Sequence, residues 1–140
     1  MIQFTIPGEP QGKARAKVTK WGTYTPEKTV LYENLIKLMF AQTNNTVIET
    51  GKPIEMTVKA YFEIPKSYTK GKKLAAEHNI IRPTKKPDAD NILKVVSDAL
   101  NKTAYKDDTQ IVRAVVEKYF SDNPRVEVEI TAIETMKEGA

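Results

Sequence analysis

Alternating apolar and polar residues, which are typical of β-strands, occur in several stretches of this chain. From Ile54 to Phe62 every second residue is apolar, within the segment KPIEMTVKAYFEIP at residues 52–65. Residues 2–6, IQFTI, and residues 125–134, RVEVEITAIE, alternate in the same way. Residues 110–120, QIVRAVVEKYF, are rich in β-branched residues. Four strands are therefore predicted, and each is expected to bury one face because successive side chains point to opposite sides.

Other stretches have the three- and four-residue apolar spacing of amphipathic helices. Thr25 and Pro26 form a typical helix start, so a helix is predicted over residues 27–42. Its buried stripe is predicted to be Leu31, Leu35, Leu38 and Met39. A short helix is predicted around residues 74–78. A third helix is predicted over residues 91–101, with an apolar face of Ile92, Val95, Val96, Ala99 and Leu100.

The order of these elements predicts an α+β fold with a mixed or mostly antiparallel sheet and helices packed on one face. The length of 140 residues suggests one domain over residues 1–140. The segment SDNP is rich in turn-forming residues, so the last two strands are expected to form a hairpin. Residues 7–26 are expected to be a loop or a loose hairpin around Val18 and Tyr24, and the tail TMKEGA is expected to fray.

Composition excludes several classes of function. There is no cysteine, so a disulfide framework and a thiolate zinc site are excluded. His78 is the single histidine and is expected at the surface, which argues against a Ser-His-Asp triad. The sequence has no phosphate loop of the GxxxxGK[ST] type, so no nucleotide cofactor is expected. With no long apolar run or secretory leader visible, we expect a cytoplasmic protein without a membrane partner.

The segment KPDADNILKVVSDALNKTAYKDDTQ places acidic residues at both ends of the third predicted helix. Asp88 and Asp90 precede the helix, and Asp107 and Asp108 follow it. One interpretation is helix capping and surface solubility. The other is a metal site, because converging carboxylates repel one another unless a cation such as Mg²⁺ binds them. A chain that returns after the helix would bring both pairs together.

The charge balance fits the second interpretation. The chain carries 22 Lys and Arg against 18 Asp and Glu, a net charge of +4. Without the four aspartates the remainder has 22 basic and 14 acidic residues, a net charge of +8. A basic surface attracts a polyanion, and bound cations let phosphate approach the carboxylates. Metal-assisted phosphodiester hydrolysis is consistent with this arrangement, with Lys94 offsetting charge in the transition state.

Two basic loops flank the acidic segment and are candidates for phosphate contacts that position DNA without reading its bases. In the first loop the candidates are Lys13, Arg15 and Lys17, close to Trp21 and Tyr24. In the second they are Lys85 and Lys86, just before Asp88. Solvated loop charge is the alternative for each of them.

The acidic segment resembles the signature of the RusA family of Holliday-junction resolvases, which are small endonucleases common in bacteria and their prophages. The matching features are Asp-x-Asp-Asn at residues 88–91, Lys94, Asp-Ala-Leu at residues 98–100, and Asp-Asp at residues 107–108. The opening FTIPGEPQGKARAKVTKWGTYTP is similar to the first strand and loop of that family. This loop has Lys-Ala-Arg-Ala-Lys where relatives often have Arg-Pro-Arg.

The resemblance implies a RusA-like fold and a homodimer that nicks four-way DNA junctions in pairs. It implies that Asp88, Asp90 and Asp108 bind Mg²⁺, with Mn²⁺ as a possible substitute, and that Lys94 is essential. Asp107 is either a further ligand or a turn residue. Two other functions stay open: a nuclease acting on other branched DNA, and a DNA-binding protein without catalysis.

Overall fold

The structure, a computed structural model, describes residues 1–133. Its β-strands are β1 (Ile2–Pro7), β2 (Lys17–Thr19), β3 (Gly22–Tyr24), β4 (Ile54–Glu63), β5 (Ile111–Ser121) and β6 (Arg125–Ala132). Its α-helices are α1 (Glu27–Ala41), α2 (Lys70–Glu77) and α3 (Ala89–Leu100), and a 3₁₀ turn spans Asp108–Gln110. The predicted tail TMKEGA lies outside the described residues.

The described residues form a mixed sheet in the order β1-β6-β4-β5, which confirms the predicted α+β class. Strand β6 is antiparallel to both β1 and β4, with Val128 opposite Phe4 and Val58. Strand β5 is parallel to β4, with Val116 opposite Val58. A parallel neighbour requires a crossover connection, and the chain provides it through α2 and α3.

The predicted terminal hairpin is wrong, because β4 lies between β5 and β6. The crossover leaves β5 parallel to β4, and the chain then passes the end of β4 to pair on its other side. Residues 122–124 separate the two strands, and three residues suffice to span the roughly 10 Å between strands that are not adjacent. The chain does reverse its direction at SDNP, but the composition of a turn does not specify which strands pair.

One face of the sheet carries the core. The inward residues of β4 are fully buried, as the alternation predicted: Ile54, Met56, Val58, Ala60 and Phe62. The predicted apolar face of α3 is also fully buried: Ile92, Val95, Val96, Ala99 and Leu100. The opposite face of the sheet is polar and carries residues such as Glu55, Lys59 and Glu127. The helices therefore cover one face, as expected.

The predicted buried stripe of α1 is wrong for Leu31 and Leu38, whereas Leu35 and Met39 are partly buried against the core. The helix instead buries Thr29, Tyr32, Ile36 and Phe40, and Phe40 packs edge-on against Phe4 of β1. Leu31 and Leu38 are exposed. Apolar residues occur around most of this helix, so two stripes one residue apart were available, and contact with β1 selects the aromatic one. Among residues 1–133 no helix has the length and apolar character needed to cross a membrane.

Candidate functional site

Asp88 and Asp90 lie at the N-terminal end of α3, where the helix dipole favours negative charge. The backbone carbonyl of Asp88 accepts the first helical hydrogen bond, from the Ile92 N–H at 3.0 Å. Within the described residues, however, the Asp88 side chain makes no capping hydrogen bond. Both carboxylates are exposed. Capping therefore does not account for Asp88, whose oxygens are available to a ligand.

The loop after β1 is packed against this helix start. The Lys13 N–H donates to the Asn91 carbonyl at 3.0 Å. A Cβ atom added to Gly12 would lie 2.8 Å from the Pro87 Cβ and 3.0 Å from the Asn91 Cβ. These distances are shorter than normal carbon contacts, so the loop approaches the acidic segment closely because residue 12 has no side chain.

The side chain of Lys13 is held inside the protein and does not point freely to solvent. Its Nζ lies 3.0 Å from a Glu33 oxygen of α1 and 3.5 Å from an Asp98 oxygen of α3, and the side chain is 20% exposed. Lys13 therefore links the loop to both helices. Lys13 also lines the basic groove described below, so the predicted DNA contact stays a prediction.

A groove of about 780 Å³ lies between the loop and the start of α3. Its lining includes the basic residues Arg15, Lys17, Lys28 and Lys86, together with Asp88 and Asn91. Arg15, Lys17 and Lys86 are exposed. Lys13 also lines the groove, so the structure brings four of the predicted DNA-binding residues to one surface with Asp88. Concentrated positive charge beside exposed carboxylates attracts phosphate to that point.

Lys85, which was also predicted to bind DNA, does not line this groove. Its backbone carbonyl accepts a hydrogen bond from the Lys118 Nζ at 2.6 Å, and its own Nζ lies 5.7 Å from the centre of the Phe62 ring. Partial burial lowers the pKa of Lys118, while the negative charge of Asp88 opposes that shift. Lys118 is therefore close enough to Asp88 to interact with it electrostatically.

The second acidic pair lies at the other end of α3. Asp107 caps the 3₁₀ turn: its Oδ1 accepts from the Thr109 N–H at 3.1 Å, and the Gln110 Oε1 accepts from the Asp107 N–H at 3.0 Å. The same Gln110 side chain donates to the carbonyls of Glu49 and Lys52. Capping thus accounts for Asp107, which supports its interpretation as a turn residue.

Asp108 is half-buried, and its backbone N–H donates to the Asn101 Oδ1 at 3.2 Å. A hydrogen bond with Asp107 raises the pKa of the Asp108 carboxyl, and burial and the charges of Asp107 and Asp98 add to that shift. The pKa of Asp107 is lowered, chiefly by its hydrogen bond from the Thr109 N–H. The repulsion between the neighbouring negative charges contributes to the raised pKa of Asp108, and a bound cation would relieve it.

The two acidic pairs do not meet within one chain. The carbonyl of Lys85, three residues before Asp88, accepts a hydrogen bond from Lys118 near the end of β5, whereas Asp108 lies just before β5 begins. The intervening helix α3 has 12 residues and is about 18 Å long. Over residues 1–133 no group of three or more His, Asp or Glu side chains is arranged to hold a metal ion. The chain therefore returns beside the end of α3 and not beside its start.

The donor chemistry still fits a divalent cation, because carboxylate oxygens are the hard ligands that Mg²⁺ prefers. Asp88, Asp90 and Asp108 supply such oxygens in two separate places. Lys94 is exposed on α3, one helical turn after Asp90. His78 is exposed at the end of α2, as predicted, and its Nδ1 lies 2.9 Å from the Leu74 carbonyl oxygen.

Sequence reasoning missed the structural roles of Gly12, Asn101 and Gln110. Gly12 follows the proline-containing segment PGEPQ at residues 7–11, and its small size was a signal for a close approach of the backbone. Asn101 and Gln110 gave no comparable signal, because the groups to which they bond come from segments that meet only after folding.

A mixed sheet with helices on one face, and a basic groove that leads to exposed aspartates at a helix start, define a small α+β protein suited to binding a polyanion. The sequence matches the family described as Endodeoxyribonuclease RusA over residues 7–131. The chain belongs to this family. It is also 42% identical over 138 residues to the uncharacterized protein YqaN of Bacillus subtilis (strain 168), covering 94% of this chain and 96% of that protein.

Family membership implies endodeoxyribonuclease activity. Nucleases of the RusA family act on branched DNA junctions and generally depend on a divalent metal. The matched range includes all of the acidic segment and the first basic loop from residue 7 onward.

Proposed function

We propose that this protein is a Mg²⁺-dependent endodeoxyribonuclease that resolves Holliday junctions by paired, symmetric nicks. It would act as a homodimer of one RusA-like domain per chain, in the cytoplasm, in DNA recombination and repair of the kind that prophages use. The observation that carries the proposal is the basic groove that leads to Asp88, whose carboxylate is exposed and not used for capping.

The groove residues fit the binding step. Arg15, Lys17 and Lys86 would contact backbone phosphates, which attracts DNA without selecting a sequence. Asp88, Asp90 and Asp108 would hold the divalent ion. When bound, that ion supplies Lewis-acid stabilisation of charge and lowers the pKa of a water molecule. Lys94 would stabilise the charge that develops on the scissile phosphate.

The free edge of β5 supports a second copy of this chain as the partner. Within the described residues β5 pairs with β4 alone, and its first half is exposed, including Val112 at 64% exposure. The Lys118 carbonyl faces the free edge, where Arg82 binds it at 2.6 Å. The backbone N–H and C=O groups of successive residues in a strand point to alternate edges, so those of Ala114 and Val116 face the same edge as the Lys118 carbonyl. They are available for antiparallel pairing across a two-fold axis.

Charge complementarity favours one register. If the two-fold axis passes beside Val115, Ala114 pairs with Val116 of the partner, and Arg113 lies opposite Glu117 of the partner. Symmetry produces this ion pair twice. Opposite charges directly across an antiparallel pair stabilise it by roughly 0.2–1 kcal/mol each. In this register the axis lies at the middle of the strand.

This dimer would also complete the acidic site. Antiparallel pairing puts the start of one β5, next to Asp108, beside the end of the partner's β5. At that end Lys118 donates a hydrogen bond to the carbonyl of Lys85, three residues before Asp88. Each site would then combine Asp88 and Asp90 of one chain with the partner's Asp108. The separation of the two acidic pairs within one chain supports this arrangement.

The test is a cleavage assay on a labelled four-way junction with a mobile core, beside linear duplex of the same sequence, with Mg²⁺ or with EDTA. We expect symmetric nicks in the junction alone and only with Mg²⁺. Equal cutting of flaps or other branches would favour the related nuclease with broader substrates. Tight junction binding without cutting, under several metals and core sequences, would instead identify a non-catalytic DNA-binding protein.

A further inference from the structure

The hairpin formed by β2 and β3 extends from the body of the protein with all six of its strand residues exposed. Lys17 pairs with Tyr24, and Thr19 pairs with Gly22. At the tip, the Thr19 hydroxyl donates to the Gly22 carbonyl at 3.0 Å and accepts from the Trp21 N–H at 3.2 Å. Gly22 has a φ of 128°, which only glycine adopts easily. The tip is therefore an ordered turn.

This turn holds a large aromatic side chain in solvent. Trp21 is 87% exposed, and Val18 on the adjoining strand is 81% exposed. An indole buries roughly 150–250 Å² when covered, so leaving it exposed forgoes a large stabilisation. Exposed apolar groups that are held in place commonly mark a binding surface.

The charges around the tip indicate what covers it. The Lys20 Nζ lies 5.2 Å from the centre of the Trp21 ring. Lys17, at the base of the hairpin, lines the basic groove that contains Asp88. The hairpin is thus a continuation of the groove, with one lysine beside the aromatic ring and another at the base of the hairpin. An aromatic side chain among lysines is the arrangement that binds unpaired nucleotides, since the ring stacks on a base while the cations contact phosphate.

We propose that Trp21 stacks on an unpaired or unstacked base of branched DNA, so that the hairpin distinguishes a branch point from continuous duplex. This inference rests on the proposed function in taking DNA as the ligand of the groove. A base inside a duplex has both faces covered by its neighbours. A base at a branch point or in a single strand exposes a face, and only such a base can accept the indole.

Trp21 is the single tryptophan of the sequence, so fluorescence excited at the long-wavelength edge, where the six tyrosines absorb little, reports on this side chain. The protein is titrated in EDTA with three probes: a four-way junction, a linear duplex of the same arms, and a single-stranded oligonucleotide. Labelled DNA reports binding independently in the same samples. We expect the junction and the single strand to quench the fluorescence strongly and the duplex to quench it weakly at equal occupancy. Junction binding without quenching would overturn the proposal.

Substitutions test the energetic contribution. Trp21→Ala is expected to weaken junction or single-strand binding about 5- to 100-fold, the usual range for loss of one aromatic–base stack. Trp21→Phe, which keeps a ring, should bind within a few-fold of the wild type. Val18→Ala is the matched control, because it removes an equally exposed apolar side chain from the same hairpin. Equal affinities of Trp21→Ala and Val18→Ala would overturn the proposal.

The two proposals fail in distinguishable ways. Cleavage of the junction without quenching would support the proposed nuclease function and contradict base stacking by Trp21. Quenching by single strands, with no junction cleavage under any metal, would sustain the stacking role and remove the resolvase. A Trp21→Ala variant that sediments as a monomer while the wild type is a dimer would assign the hairpin to the subunit interface and overturn the stacking role.

Discussion

The Asn101 side chain accepts a 3.2 Å hydrogen bond from the backbone N–H of Asp108, which fixes Asp108 at the end of α3 opposite to Asp88. Three aspartates that belong to one sequence signature are thereby divided between two ends of a helix. If these aspartates form one metal site, a single chain does not complete it. The proposed subunit partner, related by a two-fold axis through the β5 edge, would bring the two ends together.

Mixing two inactive variants tests whether the site is shared. Asp90→Asn and Asp108→Asn are each expected to lose cleavage by at least 100-fold. If each site combines both chains, a mixed dimer contains one site with both substitutions and one intact site. We therefore expect nicking to reappear, on one strand per junction, when the two variants are unfolded together and refolded.

If the site lies within one chain, both sites of the mixed dimer carry a substitution and the mixture stays inactive. Mixing each variant with itself is the control. Asp107→Asn is a further control, because Asn also caps helical turns well. We expect this variant to cleave at close to the wild-type rate, as the capping box around Asp107 implies.

Asp90→Asn should separate cleavage from binding. Loss of one exposed carboxylate reduces repulsion of phosphate, so junction affinity in EDTA is expected to stay the same or increase. The measurement is a gel-shift titration beside the cleavage assay and a thermal melt. If the variant has a lowered melting temperature and no longer binds the junction, Asp90 has only a structural role.

Lys13 and Arg15 should behave differently although they are two residues apart. Lys13→Ala removes the link between the loop, Glu33 and Asp98, and we expect it to lower the free energy of unfolding by about 1–2 kcal/mol. Arg15→Ala should change stability by less than about 0.5 kcal/mol. Its effect should be on DNA, where it reduces the slope of log affinity against log salt by about one.

Urea unfolding and salt-dependent binding of both variants provide the measurements. The interpretation is wrong if Lys13→Ala keeps full stability and has the larger effect on the salt slope.

Gly12 is expected to position the acidic segment. In Gly12→Ala the new Cβ would meet the side chains of Pro87 and Asn91, so the segment that carries Asp88 must shift by several tenths of an ångström. We expect the cleavage rate at saturating DNA to fall about 10- to 100-fold, while junction affinity changes little. Gly71→Ala is the matched control, because Gly71 lies in α2 with open space around it. Equal cleavage rates for the two variants would remove this role.

Tyr32 should make stability depend on pH at the alkaline end. Burial raises the pKa of its hydroxyl to about 12, and within residues 1–133 its Oη has no hydrogen-bond partner of good geometry. In the unfolded chain the hydroxyl ionises near pH 10. The free energy of unfolding is therefore unaffected by this group below pH 10. It falls by up to roughly 3 kcal/mol as the pH rises from 10 to about 12, because the unfolded chain ionises first.

The Tyr32→Phe variant has no hydroxyl to ionise, so its free energy of unfolding should not show this alkaline decrease. Its free energy of unfolding should match or slightly exceed that of the wild type at pH 7, and the advantage should grow between pH 10 and 12. Tyr105→Phe is the contrast, since the Tyr105 hydroxyl donates to the Ser97 carbonyl at 2.6 Å and its removal should destabilise the protein at pH 7. Urea titrations at pH 7, 10 and 11.5 distinguish the two.

The sequence by itself determined the period-two strands, the buried face of α3 and the acidic signature, because these depend on spacing within one element. It could not specify that β4 separates β5 from β6, nor which of two apolar stripes of α1 is buried, because both depend on contacts between distant segments. Only the tertiary structure showed that Glu33 and Asp98, brought from two helices, bind the ammonium group of Lys13.

The position of Asp108 was decided by the tertiary structure alone. Asp108 lies seven positions after Asn101, and a segment of that length can turn back toward the start of α3 or stay at its end. The core resolves this choice: Tyr105 is fully buried and donates to Ser97, and Gln110 bonds to Glu49 and Lys52. The spacing of acidic residues along the chain identifies the signature. Burial and hydrogen bonding between distant segments determine which of those residues lie close together.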